Sequence, residues 1–252
     1  DLSLNYYFAV VQRVLGLLLM IFSTSMLVPM VMGLAYGDGE ADAFVIGFII
    51  TLFTGLVAWL PVRHVRRELK IRDGFLVVVL FWLVLSLFGA VPLYLAERPD
   101  IGVTDAVFEA VSGLTTTGAT VLVGLDTLPH SVLFWRQLLH WMGGMGIIVL
   151  AVAVLPMLGV GGMQLYRAET PGPIKDSKLT PRIRETAKAL WYLYLSLTAV
   201  CALVFWLAGM TVFDAVSHGF SAIATGGFSN HDLSLGHHDD PIIEMAAIVA
   251  MI

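Results

Sequence analysis

The chain has 252 residues, of which 58% are hydrophobic and 13% are charged, and it carries a formal net charge of -5. Soluble domains average about half apolar and about a quarter charged residues, so this composition excludes an ordinary soluble domain and predicts an integral membrane protein. The single cysteine, Cys201, excludes an intramolecular disulfide and is expected to pack inside a helix.

Apolar stretches of about 20 residues are long enough to cross a hydrocarbon core about 30 Å thick. The sequence contains five of them, and a sixth begins near Pro241 and is cut off at Ile252. We therefore predict an all-α membrane protein. The five spans cover residues 14–36, 43–62, 74–96, 131–160 and 189–210. The first is too long, and begins too far from the first residue, to be typical of a cleavable signal sequence.

Basic residues indicate orientation, because short cytoplasmic loops retain an excess of Lys and Arg. Twelve of the 14 lie on one side: one before the first span, five between the second and third, and six between the fourth and fifth. We assign this side to the cytoplasm, and most acidic residues collect on the other. The basic stretch at residues 63–72 follows from the same rule and from anionic lipid headgroups, so it does not indicate nucleic acid.

Two segments rich in glycine and threonine lie between spans, TTTGAT at residues 115–120 and ATGGFS at residues 224–229. Each follows a helix-like stretch too short to cross a membrane, residues 105–114 and 214–223. A shift of 109 residues aligns residues 104–120 with 213–229 without a gap and matches six of the 17 positions. The shared surroundings indicate a duplicated span–loop–span unit. We predict two pore loops that open outward.

The peptide carbonyls of such loops can replace the hydration shell of a monovalent cation. Gly118 and Gly227 are expected to take positive φ, because glycine has no Cβ to clash; the alternative is that they serve close helix packing. The hydroxyls of Thr116, Thr117 and Thr225 are candidate ligands or braces. The C-terminal ends of the two short helices place partial negative charge beside the loops, which favours a cation.

Arg136 is the one basic residue inside a predicted span, where a charge needs a partner or water. We predict a salt bridge with Glu109 on the preceding short helix; snorkelling to the outer surface and direct control of conduction are the alternatives. Helix capping is the expected role of Asp105 and Asp214. Close helix packing is favoured over a gating hinge for three glycines of the fourth span, Gly143, Gly144 and Gly146.

One polar stretch contains metal-ligand residue types, namely His231, His237, His238, Asp239 and Asp240. It has no rigid pair of histidines four residues apart, so we interpret it as a solvated outer loop without a metal. Nothing in the chain resembles a nucleotide-binding loop, a catalytic triad or a paired-carboxylate site. The sequence therefore predicts a protein that is not an enzyme.

Five segments resemble the TrkH/TrkG potassium-uptake proteins of bacteria, in the Trk/Ktr/HKT superfamily: SGLTTTGAT, RQLLHWMGGMGIIVLAV, GGMQLYRAETPGPIKD, LTPRIRETAKALWY and ATGGFS. The resemblance runs along essentially the whole chain. It implies four helix–pore-loop–helix modules, as in potassium channels, each giving one strand of a single filter. Here the K⁺ filter residues would be Thr116, Thr117, Gly118 and Ala119 in the first strand, and Thr225, Gly226, Gly227 and Phe228 in the second.

The resemblance also implies a division of the chain. Residues 1–73 would form two extra N-terminal transmembrane helices, residues 74–160 the first module, residues 161–188 a cytoplasmic linker, and residues 189–252 a truncated second module. The third and fourth modules are missing, including the intramembrane gating loop that the family places in the third. We therefore expect the chain to be part of a longer protein.

The function that these features imply is K⁺ uptake through a channel-like pore in the bacterial inner membrane, with K⁺ as the transported ion. The family implies a homodimer and a cytosolic nucleotide-binding partner of the TrkA type. We predict that a basic cluster helps to dock this partner; contact with lipid headgroups is the alternative. The cluster comprises Arg167, Lys175, Lys178, Arg182 and Arg184.

Two competing functions remain at this point. One is a non-conducting membrane scaffold that docks a cytosolic regulator, which has no need of filter glycines in register. The other is an ion-coupled carrier, or symporter, which requires ionisable groups at mid-membrane, and the sequence has almost none.

Overall fold

The computed structural model describes residues 2–65, 71–157 and 179–252, and within these ranges it contains helices and no β-strand. The all-α prediction is therefore confirmed. The α-helices are, in chain order, α1 (Leu2–Ser25), α2 (Leu27–Tyr36), α3 (Ala41–Trp59), α4 (Ile71–Leu95), α5 (Val103–Leu114), α6 (His130–Met157), α7 (Leu179–Leu207), α8 (Val212–Ile223) and α9 (Pro241–Met251). Short 3-10 helices cover Leu60–Val62, Leu125–Thr127 and Ser234–His237.

Four helical stretches among the described residues are long and apolar enough to cross a membrane: Phe8–Tyr36, Ala41–Val62, Val78–Leu95 and Lys188–Leu207. They correspond to the first, second, third and fifth predicted spans. At most 33% of the most apolar part of each stretch is buried inside the protein, so the remainder is available to lipid. The fourth predicted span is α6, whose 28 residues extend about 42 Å at 1.5 Å per residue.

The first two spans pack as a helical hairpin. α1 and α3 cross where Gly16 faces Gly55, and a Cβ on either glycine would lie 2.9 Å from the carbonyl oxygen of the other. Small residues at the crossing therefore let the two backbones approach closely. α2 continues the direction of the first span and ends at Gly37, whose φ of 63° provides a left-handed C-cap.

The helices from α4 onward repeat one order: a long helix, a short helix, a loop and a further helix. α5 and α8 have 12 residues each, or about 18 Å, which is too short to cross a hydrocarbon core. α6 packs against α4 and α5 of its own unit and also against α7 and α8 of the next. One helix therefore forms a shared wall between the two loops.

An aromatic cluster attaches the N-terminal hairpin to this wall. Trp135 of α6 is fully buried, and its indole N–H donates to the carbonyl oxygen of Gly89 at 2.9 Å. Its ring lies 5.8 Å from that of Phe22 and 6.0 Å from that of Phe44, between ring centroids. Buried aromatic pairs of this kind contribute area and orientation together. Cys201 is buried in a separate apolar cluster, as predicted.

The glycines of α6 allow close packing, as the sequence indicated. A Cβ on Gly143 would overlap the carbonyl oxygen of Leu114, and one on Gly144 would lie 3.0 Å from the Cβ of Ala224. Gly146 has more room, with its nearest neighbours at 3.7 Å. The backbone therefore packs directly on α6 at the points where the two short helices end and the loops begin.

The predicted cytoplasmic linker falls largely outside the described residues. The structure describes no side chain of the predicted docking cluster, which comprises Arg167, Lys175, Lys178, Arg182 and Arg184. This part of the sequence analysis stays a prediction.

Candidate functional site

The chain leaves α5 and α8 through the same hydrogen bonds. At the end of α5, the N–H of Thr117 donates to the carbonyl oxygen of Ser112 at 2.9 Å. At the end of α8, the N–H of Gly226 donates to the carbonyl oxygen of Ser221, also at 2.9 Å. The two pairs are related by the same shift of 109 residues that aligns the sequences. The sequence repeat is therefore also a repeat of backbone geometry.

The backbone of both loops alternates in handedness. Thr116 and Thr225 have φ of 55° and 51°, and Gly118 and Gly227 have φ of 76° and 94°, whereas Thr117 between the first pair has negative φ. Such alternation directs successive carbonyl oxygens to one side of a chain. The sequence predicted the two glycines but not the two threonines. A threonine held in this region costs about 1–3 kcal/mol, and such strain concentrates at functional sites.

The eight predicted filter residues divide by exposure. Thr117, Ala119, Thr225 and Gly227 are exposed, Thr116 and Gly118 are half-buried, and Gly226 and Phe228 are buried. The two loops meet at Gly118, where an added Cβ would overlap the carbonyl oxygen of Gly226. In the first loop the hydroxyls of Thr115 and Thr117 hydrogen-bond to each other at 2.8 Å, which braces the turn. The structure therefore brings the two predicted strands into contact at Gly118 and Gly226.

Arg136 and Glu109 form the predicted salt bridge. Nε of Arg136 donates to Oε1 of Glu109 at 2.7 Å, and both side chains are fully buried. Glu109 also accepts from the Thr120 hydroxyl at 2.8 Å and from the N–H of Val121 at 3.2 Å. The carboxylate therefore holds the far end of the first loop, and snorkelling of Arg136 to the surface is excluded.

Arg136 also reaches the second loop. Its Nη1 donates to the carbonyl oxygen of Ser229 at 3.0 Å, and its guanidinium carbon lies 4.2 Å from the ring centroid of Phe228. The imidazole of His140 stacks on the same ring, with 4.1 Å between the ring centroids. Two side chains of α6 therefore contact Phe228. A cation over an aromatic face is attractive, more so when it is desolvated.

Two further contacts from α6 support the second loop. Gln137 Nε2 donates to Oδ1 of Asn230 at 3.2 Å, and His140 Nδ1 lies 3.4 Å from the hydroxyl of Ser221. The sequence analysis missed Gln137, His140 and Asn230. A usable pattern was present, because the segment RQLLH puts three polar side chains at positions i, i+1 and i+4 of an apolar helix, and these share one face.

The capping role predicted for Asp105 is wrong, whereas Asp214 takes part in the cap of α8. Gly102 is the N-cap of α5 and makes no side-chain capping bond, while Asp105 lies exposed in the first turn. Thr211 is the N-cap of α8 and accepts from the N–H of Asp214 at 3.1 Å. Its hydroxyl donates in turn to Asp214 Oδ2 at 2.8 Å. Asp214 thus stands at the acidic position of a capping box, but its carboxylate accepts from the Thr211 hydroxyl and not from the Thr211 backbone N–H.

The stretch after the second loop is largely exposed, as the sequence analysis expected, and it also contacts the connection that follows the first loop. The N–H groups of Gly124 and Leu125 donate to Oδ1 of Asp232 at 2.9 and 3.1 Å. Nδ1 of His231 lies 2.6 Å from Oδ1 of Asp126, and this hydrogen bond lowers the pKa of the Asp126 carboxyl below its usual value. The stretch therefore packs onto the connection that follows the first loop, because complementary polar groups meet there.

Comparison with known proteins gives a consistent result. The family model described as TrkH, cation transport protein, matches residues 40–252. A Trk system potassium uptake protein TrkH from Vibrio parahaemolyticus is 60% identical over 245 residues, which is 97% of this chain and 50% of that protein. TrkH from Escherichia coli K12 is 57% identical over 94% of this chain and 49% of its own length. TrkG from the same strain is 44% identical.

A solved structure agrees with the fold. The crystal structure of the potassium transporter TrkH from Vibrio parahaemolyticus superimposes with a TM-score of 0.86 at 55% identity, over 96% of this chain and 48% of that one. The chain thus spans about half the length of the curated relatives it matches.

Proposed function

We propose, because this chain belongs to the TrkH family of cation transport proteins, that its two loops form half of a K⁺-selective pathway for potassium uptake. The relatives are named as potassium uptake proteins. The protein would supply ligands to the ion and leave the driving force to the membrane potential. We place the protein in the bacterial inner membrane.

The observation that carries this proposal is the matched geometry of the two loops. Both alternate in handedness at equivalent positions, Thr116 with Gly118 and Thr225 with Gly227. Peptide carbonyls directed to one side are suitable ligands for a dehydrated monovalent cation. A scaffold that conducts no ions has no use for two strained threonines in register.

The electrostatics of the site favour a cation. α5 and α8 end at the two loops, and the C-terminal end of a helix carries partial negative charge of about half a unit. The one full positive charge described beside the loops, that of Arg136, is paired with Glu109 at 2.7 Å and fully buried. It therefore does not oppose the entry of K⁺.

We propose the eight predicted filter residues as the K⁺ ligands of this half: Thr116, Thr117, Gly118 and Ala119, with Thr225, Gly226, Gly227 and Phe228. Backbone carbonyls act at each position, so the buried ring of Phe228 serves to fix its own peptide. Two further loops are needed for a closed ring, and a longer protein of the length of the relatives would supply them.

We propose the division of the chain that the family implies. It comprises an N-terminal helix pair at residues 1–73, a first module at 74–160, a cytoplasmic linker at 161–188 and a second module at 189–252. We further propose a homodimer with a cytosolic nucleotide-binding partner of the TrkA type, in contact with membrane lipid and with no nucleic acid. These statements rest on the family, whose members are named as parts of a Trk system.

Substitution of a filter glycine tests the proposal. Gly227 has φ of 94° and open space around an added Cβ, and Gly209, remote from both loops in sequence, has φ of 109° and equally open space. Gly227→Ser and Gly209→Ser therefore strain the backbone alike. We expect Gly227→Ser alone to lower the K⁺/Na⁺ permeability ratio by about tenfold, which corresponds to about 1.4 kcal/mol of differential binding.

Flux of K⁺ and Na⁺ into vesicles that contain the purified full-length protein, with all four loops, gives the ratio. Equal ratios in wild type and both variants would remove Gly227 from the filter. A full-length wild-type protein that folds but passes neither ion would instead support the non-conducting scaffold.

A further inference from the structure

Three side chains converge beside the second loop, on the side where it continues towards α9. The candidate ligand atoms of Asp214, His231 and His238 lie within 4.8 Å of one another. Asp214 is buried in the first turn of α8, and the two histidines are half-buried in the stretch that follows the loop. Imidazole nitrogen with one carboxylate oxygen is a donor set that suits Zn²⁺ and related divalent metals.

The hydrogen bond at one ring nitrogen of His231 determines what the other ring nitrogen can bind. Nδ1 lies 2.6 Å from Oδ1 of Asp126, and a carboxylate only accepts, so the hydrogen of the neutral ring is on Nδ1. Nε2 then carries a lone pair, and it lies 3.2 Å from Oδ1 of Asp214 without forming a hydrogen bond. Two atoms with lone pairs thus face each other in a half-buried position. A cation between them removes the repulsion.

The separation of these two atoms matches a tetrahedral metal. With zinc–ligand distances of about 2.0–2.2 Å, tetrahedral ligands lie about 3.3–3.6 Å apart, close to the 3.2 Å found here. Nε2 of His238 is also buried and has no hydrogen-bond partner among the described residues. With a carboxylate oxygen of Asp214, these two nitrogens form a group of three candidate ligand atoms within 4.8 Å of one another. Each oxygen of Asp214 accepts one hydrogen bond and keeps a further lone pair for a metal.

Neighbouring groups hold two of the three ligands, His231 and Asp214, in place, as the outer partners of metal ligands do. Asp126 orients His231 through the 2.6 Å bond to Nδ1. Thr211 and Asn230 donate to the two oxygens of Asp214 at 2.8 and 3.0 Å. A cavity of about 320 Å³ lies beside two of the ligands and is lined in part by Asp126, Asp214 and His231.

We propose that Asp214, His231 and His238 bind a divalent transition metal, with Zn²⁺ as the ion that fits best and water in the fourth position. The metal would join α8 to the stretch after the second loop, and through Asp126 it would also fix the connection after the first loop. The site is separate from the carbonyl pathway. A second group, formed by Asp126, His231 and His237, is more exposed and shares His231, so it is the competing assignment.

Calorimetric titration of the purified, metal-stripped protein with Zn²⁺ tests the proposal, with Mg²⁺ as the reference ion. We expect one saturable Zn²⁺ site and none for Mg²⁺. Asp126→Asn removes an outer partner and should weaken Zn²⁺ binding about 10–100-fold. His238→Ala removes a ligand and should weaken it further.

His237→Ala is the matched control, because its ring stacks on His231 at 3.7 Å but lies outside the proposed ligand set. It should retain wild-type affinity. Melting temperatures of all variants in chelator identify any that fail to fold, and Zn²⁺ should raise the melting temperature of wild type and His237→Ala more than that of Asp126→Asn and His238→Ala.

Two results would overturn the proposal. One is the absence of saturable Zn²⁺ binding by the folded wild type, in which case a proton on Nε2 of His231 accounts for the contact with Asp214. The other is loss of binding in His237→Ala with retention in His238→Ala, which would move the site to the competing group. Neither readout depends on ion flux, so failure here leaves the proposed pathway unaffected.

Discussion

The buried pair of Glu109 and Arg136 gives the most direct test of how the loops are held. Glu109→Gln keeps the size of the side chain and removes its charge. The carboxylate accepts three hydrogen bonds, from Arg136, Thr120 and Val121, at 2.7 to 3.2 Å. The amide offers a single oxygen, and its NH₂ group must face a donor that previously had an acceptor.

The expected loss of stability depends on the contacts that Arg136 retains in the variant. Removal of one partner of a buried ion pair costs about 3–5 kcal/mol, because the other charge is left uncompensated. Arg136 keeps its hydrogen bonds to Ser229 and Thr120 and its contact with Phe228. These contacts keep the charge partly compensated, so we expect a loss near the lower end of that range, about 3 kcal/mol.

Thermal unfolding in detergent measures this loss, and Asp105→Asn is the matched control. Asp105 lies one turn earlier on α5 and undergoes the same change from acid to amide, but it is exposed. Its melting temperature should stay near that of wild type, since surface substitutions usually change stability by less than about 0.5 kcal/mol. The double variant Glu109→Gln with Arg136→Gln should recover part of the loss. A melting temperature for Glu109→Gln equal to that of Asp105→Asn would refute the reasoning.

Two further predictions concern packing and regulation. Gly144→Ala should destabilise the protein by about 1–3 kcal/mol, because the new Cβ meets Ala224 and the hydroxyl of Tyr194, whereas Gly146→Ala, with neighbours at 3.7 Å, should be near neutral in the same melting experiment. Equal melting temperatures would contradict the close approach. Neutralising Arg182 and Arg184 together should slow association of a TrkA-type regulator and flatten its salt dependence, while leaving ion selectivity intact. Identical association rates at every salt concentration would favour lipid headgroups as their partner.

The parts of the fold that follow from local patterns were predictable. Apolar length predicted the spans, and the shift of 109 residues predicted two equivalent loops with Gly118 and Gly227 at positive φ. The pairing of Glu109 with Arg136 was also predictable, because a buried charge needs a partner and few candidates were in reach.

Contacts between elements that are distant in the sequence were harder to predict. Positive φ at Thr116 and Thr225 is unfavourable for threonine itself, so no propensity points to it, and the surrounding hydrogen bonds impose it. The stacking of His140 on Phe228 joins residues that are 88 positions apart and share no periodicity. Asp105 and Asp214 occupy equivalent positions of the repeat, yet they differ because Thr211 precedes one and Gly102 the other. Equivalence in sequence therefore did not extend to side-chain roles.

The position of α6 between the two loops has a consequence for biosynthesis. A ribosome delivers this helix to the membrane before the second loop exists, since chains emerge from the N-terminus. Arg136 and Gln137 are therefore synthesised before their partners Ser229 and Asn230. The second loop can form these contacts only after α6 has been made, so the two halves of this repeat are ordered in time even though they are alike in space.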